Sequence, residues 1–455
     1  MQTTTSINPA TEEEIASYNR ISIKTAEDKI AIANKTYLSW KTTSFKERAI
    51  LMSKLADILE ANKEEYAKIA TQEMGKLITQ SRKEVEKCAL VCRYYADNAE
   101  KLLADEIIKT EAAKSYVTYQ PLGITLAIMP WNFPFYQVIR FASPALMAGN
   151  TTVLKHASNV QGCAFAIEQV FEEAGFPKGC FTNLNVTSDN IEPIIKNKNI
   201  VAVTLTGSEP AGRSVAKIAG KNLKKTVLEL GGSDAYIILE DADLEKATDL
   251  ATFGRLQNNG QTCIAAKRFI VLEDIYDDFL TLFTKKMKEA KMGIPTDEDS
   301  YYGPMARIDL RDEIHEQVEK TIEQGGKLIL GGQIPDRKGA YYPATILADL
   351  KPGMTAFDEE LFGPVASVIK AKDENEAIEL ANNSTFGLGS GVITGNTERG
   401  EKIALQLEAG NSFVNKLVAS DPRMPFGGVK NSGYGRELSS FGIKEFVNTK
   451  SVWID

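Results

Sequence analysis

The chain has 455 residues, beyond the size at which one core keeps growing, so two or three domains are expected. Hydrophobic residues make up 43% and charged residues 25%, the balance of a globular chain with a large core. A net charge of -8 leaves no surplus of Lys and Arg for a phosphate backbone, which argues against a nucleic-acid partner.

The opening stretch MQTTTSINPATEEEIASYNR is polar and acidic and lacks the apolar centre of a secretory leader. No later run approaches the length of a membrane span. A cytoplasmic location with reduced cysteines and no membrane partner is expected. From about 25 to 100, apolar residues recur at three- and four-residue spacing, as in TAEDKIAIANKTYLSWKTTS, which predicts a helical region. SYVTYQPLGITLAIMP then reads as extended strand. Alternation follows: NTTVLKHA, CFTNLNV, VAVTLTGS and KTVLELGG as strands, with helices between them. A second alternating region begins near 240 and includes LEKATDLATFGRLQN, KRFIVLE and VASVIKA. EFVNTKSVWID closes the chain as a strand-like tail. Strands alternating with helices predict an α/β fold built on parallel sheet. No internal repeat or long linker interrupts it.

Among the cysteines, Cys88 and Cys92 lie four apart in a helical segment without a second pair, so burial is a better reading than zinc. Cys263 stands in NNGQTCIAAKR. The two histidines, His156 and His315, sit in a strand-like and a charged helix-like run. If Cys263 is reactive, its base is therefore sought elsewhere than on a histidine. Cys263 itself is expected on the same side of a helix-like segment as Gly260.

Three stretches have chemistry to offer. In LTGSEPAGRSVAKIAG, a strand runs through Gly207 and Ser208 into a helix, the arrangement that offers free N–H groups to an anion. Taken alone, an ordinary turn with Ser208 as N-cap is the better reading, since Gly207 and Gly212 lack the G-x-G-x-x-G spacing. In AIMPWNFPFYQVIRFA, Pro130 and Pro134 fix a loop around Asn132, whose amide could serve an oxyanion or cap the next helix. In TVLELGGSDA, Glu229 interrupts an apolar strand. Buried, it would hold its proton more tightly and suit general-base work; on an edge strand it would simply face solvent. EELFGPVAS and the Gly-rich SDPRMPFGGVKNSGYGRE complete the set.

Together PWNFP, LTGS, ELGG, GQTC, EELFGPV, PFGGVKNSGYGRE and EFVNTKSV resemble, in order, the NAD(P)-dependent aldehyde dehydrogenase superfamily. The matches run from about 120 to the end, with EMGK at 73–76 as a weaker one. The resemblance implies a Rossmann-type cofactor domain over 1–101 and 122–231, and an α/β catalytic domain over 232–433. It implies a small β oligomerisation element over 102–121 and 434–455, hence a homo-oligomer, dimer or tetramer. It implies Cys263 as nucleophile, Asn132 as oxyanion donor with the Cys263 N–H, and Glu229 as the base that activates water. Pro130, Trp131, Gly207, Ser208, Leu230, Glu360 and Phe362 would then bind the cofactor. Lys155 and Ser158 would face the adenine ribose; Ser158 stands where NAD-preferring members often carry Glu, so NADP is expected to be preferred and NAD possible.

Within the family the detailed resemblance is to bacterial succinate-semialdehyde dehydrogenases. It implies oxidation of succinate semialdehyde to succinate, with a broad aliphatic or aromatic aldehyde dehydrogenase as the alternative. Tyr136, Arg140 and Ser420 would hold the small aldehyde by its carboxylate, and Glu437 would relay protons. Arg140 could instead pair with a protein carboxylate. Gln257 stands where some relatives carry a second arginine, leaving Arg255 and Arg423 as possible substitutes.

Overall fold

The computed structural model describes residues 3–455. A hairpin of β1 (Thr3–Ile7) and β2 (Glu14–Asn19) opens the chain. Its inward residues Thr4 and Ser6 are polar, so no apolar alternation announces it in the sequence. Four helices follow: α1 (Ile23–Trp40), α2 (Phe45–Ala61), α3 (Lys63–Met74) and α4 (Ile78–Leu102). Ser44 and Glu47 close α2 with a reciprocal capping box. Cys88 and Cys92 are fully buried on α4, in the largest core.

Next come β3 (Glu106–Ile107), β4 (Lys114–Pro121), β5 (Ile124–Met129), α5 (Tyr136–Met147), β6 (Thr151–His156), α6 (Gln161–Glu173), β7 (Phe181–Asn183), α7 (Ile191–Lys196), β8 (Ile200–Thr206), α8 (Glu209–Lys221) and β9 (Lys225–Glu229). The apolar run that reads as one strand is two, β4 and β5, broken at Gly123, whose φ of 146° opens the bend between them. The second alternating region holds β10 (Ala235–Ile238), α9 (Leu244–Leu256), β11 (Arg268–Leu272), α10 (Glu273–Glu289), α11 (Ile308–Glu323), β12 (Lys327–Leu330), β13 (Thr345–Ala348) and β14 (Val365–Ala371). It continues with β15 (Phe386–Gly387), β16 (Gly389–Ile393), β17 (Asn411–Val414), β18 (Val429–Lys430), β19 (Gly433–Tyr434) and β20 (Val447–Ile454).

Two large sheets result. The first has the order β19-β9-β8-β5-β6-β7 and is parallel apart from β19. The second has the order β12-β13-β14-β11-β10-β16-β17 and is parallel apart from β12. β20, β4 and β3 form a small antiparallel sheet.

The chain leaves the carboxyl end of β9 at Glu229 and enters the amino end of β10 at Ala235, so a short link joins the carboxyl end of the first sheet to the amino end of the second. On one side, the neighbouring strands β5, β8 and β9 deliver the loops of Asn132, Ser208 and Glu229. On the other, β11 and β14 receive the loops of Cys263 and Glu360. The carboxyl edge of a parallel sheet is where open α/β folds bind ligands.

One buried pair supports this junction. Glu84 on α4 accepts from the N–H groups of Phe135 (2.9 Å) and Tyr136 (3.0 Å), capping α5 from outside its own helix. Lys76 of EMGK, fully buried, pairs with Glu84 and lies 3.8 Å from the Phe133 ring centroid. Removing one member of such a pair strands a charge, which costs about 3–5 kcal/mol. Glu84→Ala is therefore expected to lower the melting temperature clearly in thermal denaturation, with Glu84→Gln intermediate. An unchanged melting temperature would show that the pair contributes nothing to the fold.

Candidate active site

Cys263 does not lie on a helix. α9 ends at Leu256, and Asn258, Asn259 and Gly260 follow with φ of 52°, 57° and 77°. Three successive left-handed residues reverse the chain, and asparagine is among the few side chains that tolerate this. Side chains rivet the turn. Asn258 donates to the carbonyls of Asn132 (2.8 Å) and Gln261 (3.1 Å). Asn259 donates to those of Gly75 (2.8 Å) and Pro304 (2.7 Å), and its own oxygen accepts from the Gly303 N–H (2.6 Å). A Cβ on Gly260 would stand 2.3 Å from the Gly363 carbonyl, so the turn also presses against the loop before β14. The helical periodicity of LEKATDLATFGRLQN carries the eye past this break; the NNG triplet was the signal for it.

The result places Cys263 in the lining of two cavities, of about 820 Å³ and about 380 Å³, which share it and Gln137. Burial pushes the thiol up to about 12, against the pull of Lys267 and Arg140. The Cys263 N–H has no protein acceptor among the described residues. Asn132, buried, donates one N–H to the Gln261 carbonyl at 3.1 Å, and the second hydrogen of its amide is free. Its side chain does not cap α5; Glu84 does that.

Glu229 is 2% exposed, and neither carboxylate oxygen has a hydrogen-bond partner. Burial raises its pKa well above the usual range; Glu437 adds to this and Arg140 opposes it. It is not an edge glutamate facing water, because β19 pairs beyond β9 in the sheet and the Glu229 side chain is buried. A Cβ on Gly427 would come within 2.6 Å of its Oε1, so the glycine in PFGG makes room for the carboxylate.

The larger cavity is lined by Pro130, Trp131, Asn132, Gly207, Ser208, Glu229, Leu230, Glu360 and Phe362. Ser208 occupies the N-cap of α8, yet its side chain makes no capping bond. The Thr206 hydroxyl beside it is buried without a partner. Glu360 accepts from the Gly232 N–H (3.1 Å) and pairs with Lys267 (3.1 Å), which donates in turn to the Cys263 carbonyl (2.6 Å). Lys155, at the end of β6, and Ser158 after it lie outside this lining. Ser158 is exposed, and its hydroxyl makes no hydrogen bond among the described residues.

The smaller cavity brings together Tyr136, Arg140 and Ser420 with Gln257 and Cys263. The Tyr136 and Ser420 hydroxyls are 2.8 Å apart. Arg140, nearly unexposed, forms an ion pair with buried Glu437, which lines neither cavity. Arg255 and Arg423 are absent from the lining. Arg255 is fully buried and donates to the Gly260 carbonyl, and Arg423 is exposed and pairs with Asp421 at 2.7 Å. Sequence reasoning missed Lys87, which lines this cavity from α4. The signal was there: Leu77, Gln80, Glu84 and Lys87 recur at three- and four-residue spacing and share one side of a helix.

Neither histidine reaches Cys263. His156 accepts from the Ala157 N–H (2.9 Å) and its Nε2 meets the Pro134 carbonyl (2.9 Å). Burial holds its pKa down to about 4, so it is neutral and braces the PWNFP loop. His315 meets the Tyr342 hydroxyl at 3.1 Å, on α11.

The family model described as the aldehyde dehydrogenase family matches residues 1–452. This chain belongs to the aldehyde dehydrogenase family. It is 49% identical over 448 residues to a Synechocystis aldehyde dehydrogenase named probable succinate-semialdehyde dehydrogenase, NADP(+), covering 98% of this chain and 99% of that protein. It is 49% identical over 451 residues to succinate-semialdehyde dehydrogenase 1, NADP(+), of Mycobacterium tuberculosis, covering 98% and 99%. Among solved aldehyde dehydrogenase structures, succinic semialdehyde dehydrogenase from Streptococcus pyogenes in complex with NADP+ matches with a TM-score of 0.97 at 40% identity, covering 99% of each chain. The α/β aldehyde dehydrogenase fold expected from the motifs is the fold observed. No helix among the described residues is long and apolar enough to cross a membrane.

Proposed function

We propose that this chain oxidises succinate semialdehyde to succinate with NADP(+). The observation that carries the reading is the single thiol shared by two cavities, one with room for a dinucleotide and one lined by cations and hydroxyls. The printed names of the relatives supply the substrate and cofactor. The residues fit such a cofactor. The Ser208 hydroxyl is not spent on capping, the Thr206 hydroxyl is an orphan, and Gly231 has no room for a Cβ, which would stand 2.1 Å from Glu360 Oε2. Pro130, Trp131, Gly207, Leu230, Glu360 and Phe362 would flank it. Lys155 and Ser158 would take a 2′-phosphate, since no carboxylate pairs with Lys155 among the described residues.

In this reading the Cys263 sulfur attacks the aldehyde carbon and the carbonyl oxygen becomes an oxyanion. The free N–H groups of Asn132 and Cys263 hold it. When bound, NADP(+) supplies the hydride acceptor that turns the thiohemiacetal into a thioester. Glu229, ionised, takes a proton from water; the hydroxide adds to the thioester, the C–S bond breaks, and acid and thiolate are released. Tyr136, Arg140 and Ser420 orient the far end of the substrate, and Glu437 accepts protons from behind.

We assign residues 1–101 and 122–231 to cofactor binding, 232–433 to catalysis, and 102–121 with 434–455 to oligomerisation. Trp453 and Ile107, 58% and 70% exposed in a single chain, support an assembly through the small sheet.

Kinetics with succinate semialdehyde, butanal and benzaldehyde, each with NADP(+) and NAD(+), test the proposal. Equal kcat/KM for all three aldehydes would overturn the substrate, and a preference for NAD(+) would overturn the cofactor. A pH profile follows from the raised groups. Cys263 holds its proton near neutrality, Glu229 holds its own more tightly than an ordinary glutamate because it is buried, and both act in the ionised form. Rate is therefore expected to climb as pH rises from about 6 to about 9, with no acid-side optimum.

A further inference from the structure

We propose that Lys87 is a further cation, beside Arg140, that seats the substrate's carboxylate, with the hydroxyls of Ser420 and Tyr136 completing the seat. The proposal rests on the reading of the substrate as a carboxylated aldehyde. Lys87 projects from α4 into the cavity that Cys263 lines. Its ammonium donates to Ser420 Oγ at 2.8 Å and lies 4.5 Å from the Tyr136 ring centroid.

The charge census of this cavity is uneven. Arg140 shares its charge with Glu437. Gln257 contributes an amide and no charge. The carboxylates nearest Lys87 are engaged elsewhere: Glu84 with Lys76, and Asp421 with Arg423 through both oxygens. Among the described residues, Lys87 has no carboxylate within 4.0 Å. A half-buried ammonium without a counter-charge is costly, and a cation facing an open cavity can recover that cost from an incoming anion. Exposed Lys83, one turn earlier on the same helix, also lines the cavity and extends the positive potential outwards.

Electrostatics adds a second handle. Burial, and next Arg140, draw the Lys87 amine down to about 8. The groups facing it are Lys83, Glu84 and Cys88 from α4, Tyr136 and Arg140 from α5, and Ser420 and Asp421 from the loop after β17. Below that value the amine is charged and attracts a carboxylate. Above it the free enzyme loses the attraction, and KM for a carboxylated aldehyde rises.

Lys87→Gln and Lys87→Arg, assayed with succinate semialdehyde and uncharged butanal, test the assignment. Lys87→Gln is expected to raise KM for succinate semialdehyde by about tenfold or more, and to cut its kcat/KM advantage over butanal by a similar factor, with most of the effect in KM. Lys87→Arg keeps most of the advantage. A wild type that prefers succinate semialdehyde and a Lys87→Gln protein with the same preference would overturn the role of Lys87 alone. A wild type with no preference would overturn the substrate reading as well. A measurement on the unaltered enzyme covers a variant that does not fold: KM for succinate semialdehyde rises through about pH 8 while that for butanal does not. Parallel KM profiles for the two aldehydes would overturn the proposal.

Discussion

Replacing Cys263 with serine is expected to lower kcat by about 10⁴-fold or more while cofactor affinity stays within a few fold. The oxygen nucleophile would need a stronger base than any group near it, because neither histidine lines either cavity and a carboxylate is too weak a base for a serine hydroxyl. The other four cysteines are fully buried, so none can substitute. Stopped-flow measurement of NADPH formation reads the chemical step, and cofactor fluorescence reads binding. Residual turnover within tenfold of wild type would mean that the thiol is not the attacking group.

Glu229→Gln should separate the two halves of the reaction. The amide keeps the shape of the side chain but cannot take a proton from water. Steady-state turnover is expected to fall by about 10²- to 10³-fold. The first turnover should survive as a burst of about one NADPH per chain, since thioester formation precedes the hydrolytic step. Intact-mass spectrometry should then find an acyl adduct on Cys263. Loss of the burst together with steady turnover would place Glu229 in thiol activation instead. Because its buried carboxylate has no hydrogen-bond partner, the substitution should leave the fold's stability nearly unchanged or slightly improved.

The residues proposed for the chemistry were legible because each breaks a local rule. Glu229 is a charge inside an apolar strand, Asn132 an amide caged by prolines, and Cys263 a thiol after a triplet suited to left-handed backbone. Their convergence was legible only through the order of motifs, because the strand neighbours β5, β8 and β9 are distant in sequence. The hairpin β1–β2 stayed hidden because its buried positions are threonine and serine. Lys87 was missed for a related reason. On a helix with many charged residues, a lysine that faces a cavity looks like one that faces water. The partners of Arg140 and Glu84 lie 297 and 8 residues away, and spacing could suggest only the second.

Helix α4 has a consequence for chain length. Glu84 fastens the loop that presents Asn132, and Lys87, three residues on, meets the cavity about 4.5 Å further along the same rigid axis. The two ends of the substrate are thus gauged from one rod, not from two independent loops. A gauge of that kind does not stretch to suit the guest. Shorter and longer ω-oxo acids should be discriminated by geometry as well as by charge, and a softer α4 should blur that discrimination before it slows the chemistry.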